Sequence, residues 1–285
     1  MIPAEFDYTA PDTLDAVFAA LADGGEDAKL LAGGHSLLPL MKLRLAFPTL
    51  LVDLRRVPGL SGVTRSNGDF RIGAMTPHAV LEHTGELGLV ARVAGTIADP
   101  QVRHRGTIGG SLAHGDPASD LPAAMLVTEA RMTLRSAGGA ERTVAADDLF
   151  VDYLTTAVGE GEVMTEVAVP ALDGWGFGYA KFNRRAEDWA MVAVCAVVQA
   201  EGGVCRDVRV GLTNMASRPL RATAVEDALR GQPLEADAIA RAAELAAEGT
   251  DPPGDLNATP DYKRHLARVM TRRALAEAAG TEPGR

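Results

Sequence analysis

Two short glycine-rich segments constrain this chain more than any other feature: Ala32-Gly33-Gly34-His35-Ser36 and Thr107-Ile108-Gly109-Gly110-Ser111. The first follows Lys29-Leu30-Leu31-Ala32, which reads as a short strand, and precedes a basic amphipathic stretch, Met41-Lys42-Leu43-Arg44-Leu45. Glycine has no Cβ, so successive backbone N–H groups can converge on an anion, and a neighbouring Ser or Thr adds a hydroxyl donor. Each segment therefore suits a phosphate. Two of them point to a diphosphate in a crevice between two units, and a ligand gripped from both sides is long enough to be a dinucleotide. No GxGxxG opens a helix after a strand and no GxxxxGK[ST] occurs, which disfavours a Rossmann site and a P-loop.

The pattern around the segments predicts an α+β chain in which strands and helices fall in separate runs. Asp12 is placed to cap a helix carrying Leu14, Val17, Phe18 and Leu21 at helical spacing, ended by Gly24-Gly25. With strands at 29–32 and 50–54, the first 57 residues form a small β-α-β-like unit. The texture then changes to hairpins, with Asn67-Gly68 as a type I′ turn signal. Thr76-Pro77 opens one helix, a second covers 89–97, and residues 99–122, with three prolines and four glycines, read as loop. A helix at 121–128 and strands near 132–135 and 162–169 complete a unit spanning 58–174. From 175 to 285 a meander built on strands 191–200 and 204–213, turned at Gly202-Gly203, is followed by helices, the last opening at Thr259-Pro260.

Composition excludes several roles. A net charge of −10 argues against a chain whose main work is neutralising nucleic-acid phosphates. The longest uncharged apolar run, 190–198, is far short of the roughly 20 residues a membrane helix requires, and the N-terminus lacks a basic segment followed by an apolar core, so the expected location is cytoplasmic. The two cysteines, Cys195 and Cys205, form no CxxC and hold no metal cluster. They read as buried free thiols on neighbouring strands.

The segment "AGGHSLLPLMKLRLAFP", followed at a distance by "IADPQVRHRGTIGGSLAHGDPASDLPA", resembles the FAD-binding medium subunit of the molybdenum hydroxylases, the carbon monoxide dehydrogenase and xanthine dehydrogenase family. "KFNRRAEDWAMVAVCAVV" and "VRVGLTNMASRPLRA" are similar to its C-terminal domain, so the likeness runs over essentially the whole chain. It implies a two-part FAD-binding fold of the vanillyl-alcohol-oxidase (PCMH) type, followed by a small antiparallel sheet with packed helices. It also implies roles. Residues 32–36 and 107–111, with Leu31 and Leu37 beside the first segment, would hold the FAD pyrophosphate through backbone donors. Asp120 would accept from ribose or ribityl hydroxyls, although it also stands where it could cap the helix that follows. Ile97 and Met164 would contact the cofactor, and Lys181 and Trp189 would lie over the isoalloxazine. His35 occupies the place where flavoproteins of the wider fold attach FAD covalently, but the following "SLLPLMKLRL" matches the noncovalent family. His114 stands close enough to be considered, and Arg103-His104-Arg105 reads as a solvated basic patch or a face for an acidic partner.

The family's partners follow from the same resemblance: a large subunit with the molybdenum cofactor, a small subunit with two [2Fe–2S] clusters, and a dimer of heterotrimers. Electrons from the clusters would leave through the FAD to NAD, a quinone or oxygen. The rival readings are a freestanding flavin oxidase with its own small organic substrate and a scaffold that has lost its cofactor. No marked acid–base pair for an organic substrate is present, which argues against the first. On the phosphate-cradle reading, a β-branched residue at Gly109 abolishes FAD retention and leaves the chain folded.

Overall fold

The computed structural model describes residues 2–281 and contains three units built on separate sheets. The first alternates strand and helix: β1 (Asp7–Thr9), α1 (Leu14–Gly24), β2 (Ala28–Leu31), α2 (Leu37–Lys42) and β3 (Leu50–Asp53). Its strands run parallel in the order β1-β3-β2. Val17 and Phe18 of α1 pack on Val52 and Leu54, so the helical stripe read from the sequence is the face that closes this small core. Thr13, not Asp12, caps α1: its hydroxyl accepts from the Ala16 N–H at 3.2 Å. The cap belongs to the residue directly before the first helical one, which is Thr13.

The second unit opens with the hairpin β4 (Val63–Ser66) and β5 (Asp69–Gly73). Asn67 and Gly68 turn it with φ of 53° and 83°, the pair of positive values that a type I′ turn requires. Five short helices follow: α3 (His78–His83), α4 (Leu89–Ala94), α5 (Pro100–Arg103), α6 (Ile108–His114) and α7 (Asp120–Thr128). Next come β6 (Arg131–Arg135), β7 (Glu141–Ala145), α8 (Ala146–Leu149), the small pair β8 (Phe150–Asp152) and β9 (Thr155–Thr156), and β10 (Val163–Pro170). The main sheet has the order β4-β5-β10-β6-β7. Its long central strand arrives last in the chain and is buried along most of its length.

Three local expectations give way here. Thr76 does not cap α3; its hydroxyl is buried and is shared with Gly62, accepting from the N–H and donating to the carbonyl. The helix expected over 89–97 ends at Ala94. Residues 99–122, read as loop from their Pro and Gly content, contain α5 and α6 and the start of α7. Pro100 sits at the start of α5 behind its cap Asp99 and Pro122 in the first turn of α7, where a missing N–H costs nothing, while Pro117 lies in the turn between α6 and α7.

The third unit is a four-stranded antiparallel sheet, β11 (Gly176–Phe182), β12 (Val192–Glu201), β13 (Val204–Thr213) and β14 (Leu220–Arg221), backed by α9 (Thr223–Leu229), α10 (Ala236–Ala243) and α11 (Pro260–Ala279). Thr259 caps α11 by accepting from the Tyr262 N–H, and Leu266 and Met270 are buried while Tyr262 stays exposed. Cys195 and Cys205 are free, buried thiols on β12 and β13. The sheet shares its other face with the second unit: Tyr179, Ala193, Cys195 and Val197 join the same core as Leu121, Met125 and Ile108. Among the described residues no helix is long and apolar enough to cross a membrane.

Candidate functional site

The first glycine segment is an open turn between β2 and α2. Gly34 takes φ of 79°, which a residue with a Cβ adopts only under strain, and its carbonyl accepts from the Leu38 N–H to close the turn. Gly33 serves close approach. A Cβ there would lie 2.3 Å from the Arg105 carbonyl oxygen and 2.7 Å from the Gly106 Cα, so the segment rests backbone on backbone against the second unit. Among the described residues, no backbone carbonyl accepts from the N–H groups of Gly33, Gly34, His35 or Ser36. Four consecutive free donors at the lip of a cavity are what an anion needs.

The second segment is built differently. Thr107 caps α6, accepting from the Gly110 N–H at 3.2 Å, and its carbonyl takes the Ser111 N–H. The Ile108 and Gly109 N–H groups donate to Thr76 and Ala74 carbonyls at 3.1 and 2.8 Å. The backbone donors of residues 108–111 are therefore already paired, and the expected backbone phosphate cradle is not formed there. Gly109 is a packing glycine: a Cβ would meet the Ala74 Cβ at 2.5 Å and the Ala74 carbonyl oxygen at 2.7 Å. Valine at this position therefore strains the fold itself, because the Ala74 backbone must shift to admit it. Of this segment, Thr107, Gly109, Gly110 and Ser111 line the cavity.

Between the two segments lies a cavity of about 1090 Å³. Leu31, Ala32, Gly33, Gly34, His35, Ser36 and Leu37 line it from the first unit. Thr107, Gly109, Gly110, Ser111, Ile97, Asp120 and Met164 line it from the second, and Lys181 and Trp189 from the third. Of the cofactor-contacting residues expected from the resemblance, Ile108 alone does not line it; its side chain is fully buried in the core shared with the third unit. Met164 is 5% exposed and Ile97 packs on the same core, whereas Trp189 is half-exposed at the rim. His114 lines the cavity as well.

The cavity floor carries its charge. Asp120 opens α7 without capping it. Its Oδ1 accepts from the Tyr179 hydroxyl at 2.8 Å and its Oδ2 from the Lys181 ammonium at 2.9 Å. Lys181 also donates to the Thr96 carbonyl at 3.1 Å, so it is a buried, fixed cation. Burial pushes the Asp120 carboxyl up from its ordinary range, opposed by the Lys181 charge and by both hydrogen bonds.

His78 is a cavity residue that the sequence did not reveal, because "TPHAVLE" reads as an ordinary helix start. It is buried against Gly106, whose added Cβ would sit 2.8 Å from the imidazole Cδ2. Burial first, then His35 and Arg103, lower its pKa to about 4. The loop 159–162 gives no signal in the sequence either; Glu162 there accepts from Arg142 and from the Gly159 N–H and borders the cavity. Arg103 departs from the solvated-patch reading: it is largely buried, paired with Glu82 at 2.8 Å and bonded to the Ile97 and Ala98 carbonyls. His104 and Arg105 remain exposed.

A two-part unit with free backbone donors on one lip, closed by a third unit that brings a cation to the floor, defines a protein that binds a long anionic cofactor. Residues 4–172 match the model of the FAD-binding domain in molybdopterin dehydrogenase, and residues 177–278 match that of the CO dehydrogenase flavoprotein C-terminal domain. The chain is 42% identical to the carbon monoxide dehydrogenase medium chain of Hydrogenophaga pseudoflava, covering 96% of this chain and 97% of that one. It is 38% identical to the alpha subunit of the 6-hydroxypseudooxynicotine dehydrogenase complex of Paenarthrobacter nicotinovorans, covering 98% and 96%. The structure of the Hydrogenophaga pseudoflava carbon monoxide dehydrogenase lacking the Mo-pyranopterin moiety superposes with a TM-score of 0.94 at 44% identity, covering 98% of this chain and 99% of that one. The chain belongs to the family of FAD-binding medium subunits of molybdenum hydroxylases such as carbon monoxide dehydrogenase, and its relatives are oxidoreductase subunits.

Proposed function

We propose that this chain holds FAD noncovalently in the cleft between its units and is the electron exit of a molybdenum-containing hydroxylase. The observation that carries the reading is the set of unpaired N–H groups at Gly33, Gly34, His35 and Ser36, opening on a cavity slightly larger than the roughly 300–1,000 Å³ typical of ligand pockets. These donors hold the pyrophosphate, with the Thr107 and Ser111 hydroxyls opposite. Leu31, Ala32 and Leu37 frame the first segment; Gly109 and Gly110 let α6 approach; Ile108 acts from the core behind it. Asp120 keeps one lone pair on each oxygen for a ribityl or ribose hydroxyl. Ile97 and Met164 give apolar contact, Lys181 supplies positive charge beside the ring, and the Trp189 indole covers its face. FAD bound there supplies a store for two electrons that can be loaded one at a time.

The reading divides the chain at 1–57, 58–174 and 175–285, which each of the three main sheets respects. It calls for a small partner subunit with two [2Fe–2S] clusters, a large one with the molybdenum cofactor, and a dimer of heterotrimers that delivers electrons to NAD, a quinone or oxygen. Two free, buried thiols suit a cytoplasmic complex.

The test is the absorbance spectrum of the purified chain before and after acid precipitation. The expected chain is yellow, releases all its FAD to the supernatant and stays oxidised when offered simple alcohols. Flavin left in the pellet would assign His35 as a covalent anchor, bleaching by an alcohol would assign a freestanding oxidase, and a colourless chain that takes up no FAD would reject the reading.

A further inference from the structure

Among the described residues, Asp120–Lys181 is the one ion pair in which both side chains are less than a tenth exposed, at 6% and 7%. It bridges two units, since Asp120 opens α7 of the second and Lys181 lies on β11 of the third. A buried pair of this kind persists only where its remaining polar atoms are also satisfied. Lys181 finds the Thr96 carbonyl, and Asp120 finds the Tyr179 hydroxyl.

The two donors to Asp120 are residues i and i+2 of one strand, so their side chains leave the same face of β11 and each takes one carboxylate oxygen. Tyr179 is anchored independently of Asp120. It is 6% exposed, sits opposite Cys195 in the β11–β12 ladder, and its N–H donates to Glu277 on α11 at 3.0 Å. Without its hydroxyl, Oδ1 would be a buried oxygen with no donor, free to turn away from the strand. The titratable groups facing the carboxylate are Lys181 and Tyr179 from β11 and the Cys195 thiol from β12, which burial keeps protonated.

We propose that Tyr179 is a positioning residue of the cofactor cleft: its hydroxyl fixes the Asp120 carboxylate, and through it the Lys181 ammonium, at the floor where the second and third units meet. This rests on the FAD reading for its consequence at the flavin, but the positioning itself does not require the cofactor.

The experiment uses the purified full chain and its Tyr179→Phe variant, which keeps the ring and removes only the hydroxyl. Acetylation by acetic anhydride, followed residue by residue by mass spectrometry, is expected to be about tenfold faster at Lys181 in the variant. Lys263, fully buried on α11, is the control and is expected to be unchanged. An unchanged Lys181 rate would overturn the proposal, and so would a rise at both lysines, which would make Tyr179 a general support of the fold. With FAD bound, a tenfold gain in proton affinity at Asp120 moves the pH midpoint of the flavin absorbance about one unit upward in Tyr179→Phe. That midpoint should vanish when Asp120→Asn is added. Coincident pH profiles in wild type and variant would also overturn it. A chain that takes up no FAD would defeat the functional reading alone, leaving the acetylation rates to decide this one.

Discussion

The two glycine segments share a Gly-Gly pair followed closely by serine, yet they do opposite things with their backbone. In residues 32–36 the N–H groups of Gly33, Gly34, His35 and Ser36 have no backbone acceptor among the described residues. In residues 107–111 the N–H groups from Ile108 to Ser111 are consumed by Thr107 and by the Ala74 and Thr76 carbonyls. One segment leaves its donors open, which the proposed reading fills with a pyrophosphate; the other is a joint that lets α6 lie against the strand-end turn at Ala74. The same letters mean ligand chemistry where the chain turns into open space and packing where it turns into a core.

The largest effect that can break this comparison is at Gly109. Valine there must displace the Ala74 backbone, and we expect it to cost about 3 kcal/mol of stability, read by urea unfolding, with FAD loss only as a consequence. A Gly109→Val chain with wild-type stability and no FAD would return the second segment to the role of phosphate cradle.

His78 tests the ground between the segments, since it packs on Gly106 and feels the charge of His35. Its folded pKa of about 4 lies below the ordinary 6.5, so the unfolded chain gains the proton first as pH falls. Stability is then full above pH 6.5 and is lost progressively down to about pH 4, by roughly 3 kcal/mol. A His78→Leu chain should lack that share of the acid loss; an unchanged slope of unfolding free energy against pH would show that the imidazole is not buried neutral.

Gly33→Ala sharpens the comparison from the other side. Its methyl meets the Arg105 carbonyl, so the first unit must move off the second; a loss of about 2 kcal/mol in FAD binding, some thirtyfold in Kd, is expected with the sheets intact. Equilibrium FAD titration beside far-UV circular dichroism separates the two effects. The smallest change is Thr107→Val, which deletes the α6 cap and one of the two hydroxyls proposed to face the pyrophosphate. It should cost about 1 kcal/mol by thermal melting and alter FAD affinity by no more than a few fold.

Much of the architecture was legible because its signals are local. Asn67-Gly68 and Gly202-Gly203 each supply two adjacent positive φ values for a tight hairpin, and Thr259-Pro260 marks the start of α11. The cavity lining was legible for a different reason, a resemblance specific enough to pick out Asp120, Lys181 and Trp189 across more than 60 positions of chain, a span the bond between Lys181 and Asp120 closes at a separation of 61. What failed was the reading of residues 99–122 as loop, since glycine content reports permissive backbone and not whether that backbone is helical. His78 gave no signal, because burial of an imidazole depends on what the fold lays over it.

Sequence alone determined most of the longer strands and helices outside residues 99–122, the hairpin turns and the presence of two glycine-rich segments, since each depends on φ preferences and side-chain period within a few residues. Tertiary structure decided which of those segments keeps its donors free, which glycines exist for close approach, and that Asp120 meets Tyr179 and Lys181. Those outcomes depend on contacts between units distant in the chain, where one residue's environment is set by carbonyls and side chains that no local pattern encodes.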